Sequence, residues 1–282
     1  MLWGRSRASG FLLATTLLTA IPLNLTPPRR SAPPLNVTQP GGSAPPLNVT
    51  PPGGPAPSRR AAGAAMIWAP VVGLLLGALA AAVLEAASRF GHTGPLLAAA
   101  LAVATLAAGS RGLHLDGLAD LADGLGSRRP AGQALEIMKR SDIGPFGVVT
   151  LVFALLIQVA ALAQAQSLGR GVAAAVAAAV AGRLSLTWAC RRGVPAARGS
   201  GLGAMVAGTV NPAVPAAVTI ALLAGTAAFW PVIAVAIAAG LAASVVVTAW
   251  AVRRLGGITG DVLGALVEIT VTVCLVVTAV RV

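Results

Sequence analysis

The chain has only eight acidic residues among 282, and five of them, Asp116, Asp120, Asp123, Glu136 and Asp142, fall between positions 116 and 142. In HLDGLADLADG the three aspartates recur at i, i+4 and i+7. At about 3.6 residues per turn this confines them to an arc of roughly 60 degrees on one helix face. Leu118, Leu121 and Leu125 take the opposite face, so the segment reads as an amphipathic helix at a membrane surface. Like charges on one face repel, and such a helix gains from a cation. A hard divalent ion meets that need best: Mg²⁺ takes carboxylate oxygens and keeps positions open for water or substrate phosphates. The segment therefore points to metal-assisted chemistry on a nucleotide or pyrophosphate. A merely solvated face would mix Glu, Lys and Arg instead of using Asp alone among glycines. Gly117, Gly124 and Gly126 weaken the helix and are expected to leave its backbone open to a bulky ligand. His114 falls on the leucine side, which leaves two readings, a substrate contact or a plain interfacial histidine.

A second acidic constellation lies near the C-terminus, in GGITGDVLGALVE (256 to 268). Glycines ahead of a helix present backbone N–H groups suited to phosphate, which makes Gly257 and Thr259 candidate substrate contacts. Asp261 and Glu268 follow seven residues apart on one face and are candidates for the catalytic acids. Asp261 alone could equally serve as a favourable charge at a helix N-terminus. Arg183 sits inside an apolar run, where a charge needs a partner; that partner is either a substrate phosphate or a structural acid, Glu85 or Glu268. The loops EIMKRSDIGPFG and ARGSGLG bring Glu136, Lys139, Ser141 and Arg198 close to span ends, where they could line a nucleotide pocket. For Lys139, Arg140 and Arg198, setting the topology is an equally good reason to be there.

These residues need a scaffold, and composition decides which kind. Hydrophobic residues make up 56% and charged residues 10%, with a mean hydropathy of +0.84, whereas soluble domains carry charge on roughly a quarter of their residues. No water-soluble surface can be built from this. Apolar runs long enough to cross a bilayer, about 20 residues each, recur at 66 to 87, 95 to 110, 144 to 166, 171 to 190, 211 to 229, 231 to 251 and 261 to 281. All must be helices, since isolated strands cannot satisfy their backbone in lipid. The expected fold is an all-α polytopic membrane bundle of about seven helices. Alternating sides gathers Arg59, Arg60, Arg111, Arg128, Arg129, Lys139, Arg140, Arg191, Arg192, Arg198, Arg253 and Arg254 on one side, against Arg89, Arg170 and Arg281. The positive-inside rule makes the first side cytoplasmic. Because the arginines cluster at span ends, the net charge of +12 orients the protein and gives no reason to expect nucleic acid. Cys190 and Cys274 lie in apolar runs and read as packing residues.

The N-terminal region is organised differently. Arg5 and Arg7 precede FLLATTLLTAIPL, too short to span comfortably, so residues 1 to 23 are expected to form an interfacial helix. SAPPLNVTQPGG (31 to 42) repeats as SAPPLNVTPPGG (43 to 54); such Pro and Gly density cannot bury a core, and 24 to 60 is expected to be a disordered insert. The catalytic domain is then 61 to 282.

GLHLDGLADLADGLG, LEIMKRSDIGPFGV, AGRLS, ARGSGLG and GGITGDVLGALVE, in this order and spacing, resemble the cobalamin synthase family, the adenosylcobinamide-GDP ribazoletransferases. The resemblance covers 66 to 282, with an echo at LLTAIPL. It implies an inner-membrane enzyme, active on the cytoplasmic side, that joins adenosylcobinamide-GDP to α-ribazole or its 5′-phosphate and releases GMP. It implies Mg²⁺ as cofactor, held by Asp116, Asp120 and Asp123 against the pyrophosphate, with Asp261 or Glu268 activating the hydroxyl and Arg183 and Arg198 on phosphate. The implied partners are these substrates and membrane lipid; a homo-oligomer or a complex with other cobalamin-assembly enzymes stays open. Relatives carry Asp, Ser, Arg where this chain has Arg140, Ser141 and Asp142, so the roles of those two charges do not transfer. A CDP-alcohol phosphatidyltransferase also strings Asp along a helix, but its motif wants Ala-Arg at an offset absent here. A transporter would keep its acids near mid-membrane.

Overall fold

The computed structural model describes Ala14 and residues 58–281. The helix expected over 1 to 23 and the insert expected over 24 to 60 lie outside the described residues, apart from Ala14 and the last three positions of the insert. Those three already belong to the bundle: Arg59–Arg89 is the first described helix, α1, and Ser58 caps it by accepting a hydrogen bond from the Ala61 N–H. The helices that follow are α2 (Pro95–Gly109), α3 (Leu113–Gly126), α4 (Ala131–Ile137), α5 (Pro145–Ser167) and α6 (Gly171–Ala189). After them come α7 (Leu202–Val206), α8 (Ala213–Ala227), α9 (Pro231–Leu255) and α10 (Gly260–Ala279).

Five of these, α1, α5, α6, α9 and α10, are long and apolar enough to cross a membrane, and α2 with α3 would make a sixth only as a broken span. That pair bends by 87° at its junction, where Arg111 and Gly112 adopt positive φ of 55° and 72°. The bend turns α3 across the end of the bundle, so its aspartates lie outside the spans. The run expected at 211 to 229 forms only the 15-residue α8, about 22 Å long at about 1.5 Å per residue. With Pro212 as its N-cap and Pro215 in its first turn it runs only from Ala213 to Ala227, and the count of full-length spans falls below the seven expected from run length.

Alanine and glycine explain how the bundle packs. α6 is almost wholly buried, and its Ala-rich surface lets neighbouring backbones approach closely. Gly73 and Gly77 of α1 press on the backbone of Val176, Ala179 and Val180, while Gly182 of α6 meets Val267 and Val271 of α10. Gly240 of α9 leaves room for the Cys274 sulfur and the Thr270 carbonyl. Both cysteines are buried and free, as packing residues.

The basic residues gather at the end where sequence grouping put them. The Arg59 guanidinium donates to the carbonyls of Ala204 and Ala207, each at 2.7 Å, Arg254 to the Arg129 carbonyl at 2.6 Å, and Arg198 to the Leu135 carbonyl at 2.6 Å. At the other end Arg170 donates to the Val280 carbonyl at 3.2 Å, and Arg89 pairs with Glu85. α3 and α4 thus sit at the arginine-rich end.

Candidate active site

Two glycine contacts decide how the site is built. At Gly117 of α3 a side chain would lie 2.7 Å from the Asp261 carbonyl oxygen and 3.0 Å from its Cα; at Gly264 of α10 it would lie 3.1 Å from the Leu113 carbonyl oxygen. α3 and the first turns of α10 therefore cross backbone to backbone, and Asp261 joins Asp116 and Asp120. Gly124 and Gly126 are filled in the same way, by Met138 and Ala134 and by the Phe146 ring. The three glycines of α3 are packing positions, not windows for a ligand as expected from sequence.

The loop before α10 is held by the loop before α7. Ile258 N–H donates to the Pro195 carbonyl at 2.9 Å and Ala197 N–H to the Ile258 carbonyl at 3.0 Å. Gly257 fits against the Pro195 and Ala196 backbone with no space for a Cβ. This pairing puts Arg198 beside Asp261, N to O 3.5 Å, while its other terminal nitrogen holds the Leu135 carbonyl of α4. Thr259 caps α10 by accepting from the Val262 N–H and donates to the Asp261 carboxylate at 3.2 Å. Gly257 and Thr259 thus position Asp261.

The three aspartates of α3 have separate fates. Asp116 is exposed, Asp120 half-buried and Asp123 buried. Asp123 accepts hydrogen bonds from the Gly144 N–H at 2.7 Å and the Gly147 N–H at 2.9 Å, at the start of α5. Its charge is met by the unsatisfied amides and the dipole of that helix. Asp120 has no such relief: burial, then the charges of Asp116, Asp261 and Asp123, push its carboxyl up to about 7 against the opposing pull of Arg198. Among the described residues no group of three His, Cys, Asp or Glu side chains stands ready around one point as a metal cage. Asp116, Asp120 and Asp261 nonetheless form a patch of hard oxygen donors with more negative charge than Arg198 offsets, a chemistry that fits a hard divalent cation.

Beside this patch opens a cavity of about 170 Å³ that Asp116, Asp261 and His114 line together with Met66, Leu186 and Leu202, among others. His114 is 5% exposed and its Nδ1 has no hydrogen-bond partner. A separate open groove of about 710 Å³ runs along α4, lined by Arg129, Gln133, Glu136 and Arg140 among others. Glu136 pairs there with Lys139 at 2.7 Å, and Ser141 is exposed nearby.

A family model described as cobalamin-5-phosphate synthase matches residues 10–279 of the chain. The chain belongs to the cobalamin-5-phosphate synthase family. Family membership extends to the N-terminal region, beyond the stretch from 66 onward that carries the motifs. A relative from Frankia casuarinae named adenosylcobinamide-GDP ribazoletransferase is 43% identical over 243 residues, covering 78% of this chain and 86% of the relative. Relatives of the same name from Nocardioides sp. and Rhizobium etli are 40% and 38% identical, covering 79% and 74% of this chain and 90% and 84% of theirs. No solved structure matches the chain.

Two residues of the family motifs stay away from the cavity. Arg183 and Glu268 are buried deeper, 2% and 9% exposed, around a void of about 10 Å³ with Gln158. Gln158 donates to the Glu268 carboxylate at 2.9 Å and to Thr272 at 3.0 Å. Of the two acids weighed for Arg183, Glu268 is the one that shares this void with it, since Glu85 pairs with Arg89. Gln158 belongs to no acidic or basic cluster, and the apolar cavity wall comes from α1, α6 and α7; no local pattern marks these residues.

Proposed function

We infer that this chain is an adenosylcobinamide-GDP ribazoletransferase, the phosphotransferase that joins adenosylcobinamide-GDP to α-ribazole or its 5′-phosphate and releases GMP. One observation in the fold carries the reading beyond family: α3 and α10 deliver Asp116, Asp120 and Asp261 to one patch, and a small cavity lined by Asp116 and Asp261 opens beside it. Carboxylates gathered beside a recess suit a metal-assisted transfer onto a substrate held in it. In the reaction a ribose hydroxyl oxygen forms a bond to the phosphorus attached to cobinamide. The phosphoanhydride bond to GMP breaks and GMP leaves with the bridging oxygen. Asp261, which lines the cavity, takes the hydroxyl proton; Glu268, engaged with Gln158, does not reach it.

Mg²⁺ is the cofactor in this reading, with Asp116 and Asp120 as its protein ligands. When bound it would neutralise charge on the pyrophosphate and the departing GMP, in keeping with phosphoryl transfers that run on positioning and electrostatics. Asp123, both of whose oxygens accept amide hydrogens, fixes α3 against α5. Arg198, bonded to both, aligns Asp261 and α4. The arginine-rich end faces the cytoplasm and the spans cross the cytoplasmic membrane. The test is to incubate membranes containing the protein with adenosylcobinamide-GDP, α-ribazole and Mg²⁺. GMP and a cobalamin are expected, and both should vanish with a chelator. Properly inserted protein that yields neither product would refute the assignment.

A further inference from the structure

The cavity beside the aspartates is selective in a way the reaction alone does not require. Its volume, about 170 Å³, is below the roughly 300–1,000 Å³ of pockets that hold a whole drug-sized ligand, so a corrinoid or an intact nucleotide diphosphate cannot enter. Its walls are Met66 of α1, Leu186 of α6, Leu202 of α7 and Leu263 of α10, and its acids stand at Asp116 and Asp261. No arginine or lysine lines it, and most of its wall is aliphatic. The buried imidazole of His114, with Nδ1 unpartnered, is a polar group left for a guest to satisfy.

Resting on the reading given above, we propose that this cavity is the binding site for the aromatic base of the ribazole substrate: the methylated bicycle lies among Met66, Leu186, Leu202 and Leu263, His114 bonds to it or its sugar, and the ribose points to Asp116 and Asp261. The chemistry matches at each wall. A dimethylbenzimidazole is flat, apolar and without charge, so aliphatic side chains gain by covering it. Its ribose hydroxyls suit carboxylate acceptors, while a 5′-phosphate, when present, stays outside at the Arg198 side. The adenosylcobinamide-GDP, too large for this cavity, is left to bind outside it.

Leu202, only part-buried and on a short helix, is the position at which a larger side chain fills the cavity with least disturbance. In Leu202→Trp the KM for α-ribazole should rise roughly tenfold or more while the KM for adenosylcobinamide-GDP stays unchanged. The unmodified protein should use the riboside of unmethylated benzimidazole with kcat/KM roughly tenfold below that for α-ribazole, because two buried methyl groups are lost. Binding is read separately: α-ribazole alone should raise the melting temperature of the detergent-solubilised protein and fail to do so in Leu202→Trp. An unchanged KM for α-ribazole in a folded Leu202→Trp protein, or equal use of the methylated and unmethylated ribosides, overturns the proposal while leaving the transferase reading intact. A protein that makes no GMP yet is stabilised by α-ribazole through Leu202 overturns the transferase reading and upholds the cavity.

Discussion

Asp120 and Asp123 stand three positions apart on one helix and do opposite work. Asp123 satisfies two amides at the start of α5, so Asp123→Ala should cost about 1–3 kcal/mol of stability by orphaning the Gly144 and Gly147 N–H groups. Asp120 has neighbours that repel it, so Asp120→Asn should leave folding intact or improved while lowering turnover more than roughly 100-fold. Melting curves and GMP release, measured on both variants, separate the two roles. The charge on Asp120 also sets a pH dependence. Its folded carboxyl titrates near 7 against an ordinary value of 3.8, so between those values the folded state holds the extra proton. Stability is therefore expected to fall as pH rises from about 4 to about 7 and to level off above. A divalent cation should flatten that slope by replacing the proton, and melting temperatures taken across this range with and without Mg²⁺ check it. The sequence made the aspartates legible because helical periodicity is local. It could not show that Asp123 would be drawn to amides more than twenty positions ahead, since nothing on α3 itself marks that partner.

The crossing of α3 and α10 is set by backbone contact at Gly117 and Gly264, and an intruding Cβ cannot be relieved by turning a side chain. Gly117→Val should push Asp261 away from Asp116 and Asp120, lowering activity roughly 100-fold for a displacement near 1 Å. Gly264→Ala, whose Cβ would meet its neighbours at 3.1–3.2 Å, should cost less. Activity and melting temperature measured side by side test this ranking, and an active Gly117→Val protein would show that the crossing is not what holds the site. At this scale the sequence was half readable. The last apolar run and its two acids were plain, but their seven-residue spacing placed Asp261 and Glu268 on one face without saying how deep each would lie. Asp261 stays at the helix mouth with Arg198, and Glu268 descends two turns to Gln158. Run length likewise counted α8 as a span because an apolar run does not register where the helix itself starts and stops, here at Ala213 and Ala227.

Across the whole molecule, the two ends differ in charge. The contacts of Arg59, Arg198 and Arg254 knit the loops of one end together, and α3 and α4 lie among them. A reporter fused after Arg128 should therefore read cytoplasmic and one placed at Gly169 should read external; the reverse pattern would invert the protein. The all-helical membrane architecture followed from composition alone, because no other structure satisfies a backbone in lipid. The relative placement of helices did not, because Ala and Gly allow close packing without naming the partner. The crowding of arginines around the groove has a kinetic consequence. A cluster of positive charge is a catchment: it bends the diffusion of a pyrophosphate-bearing molecule inward and raises its local concentration before any specific contact forms. Counterions thin that catchment over about 10 Å at 0.1 M salt. Raising ionic strength should then lower kcat/KM for adenosylcobinamide-GDP, leave kcat nearly constant, and spare the uncharged ribazole, which arrives without an electrostatic guide.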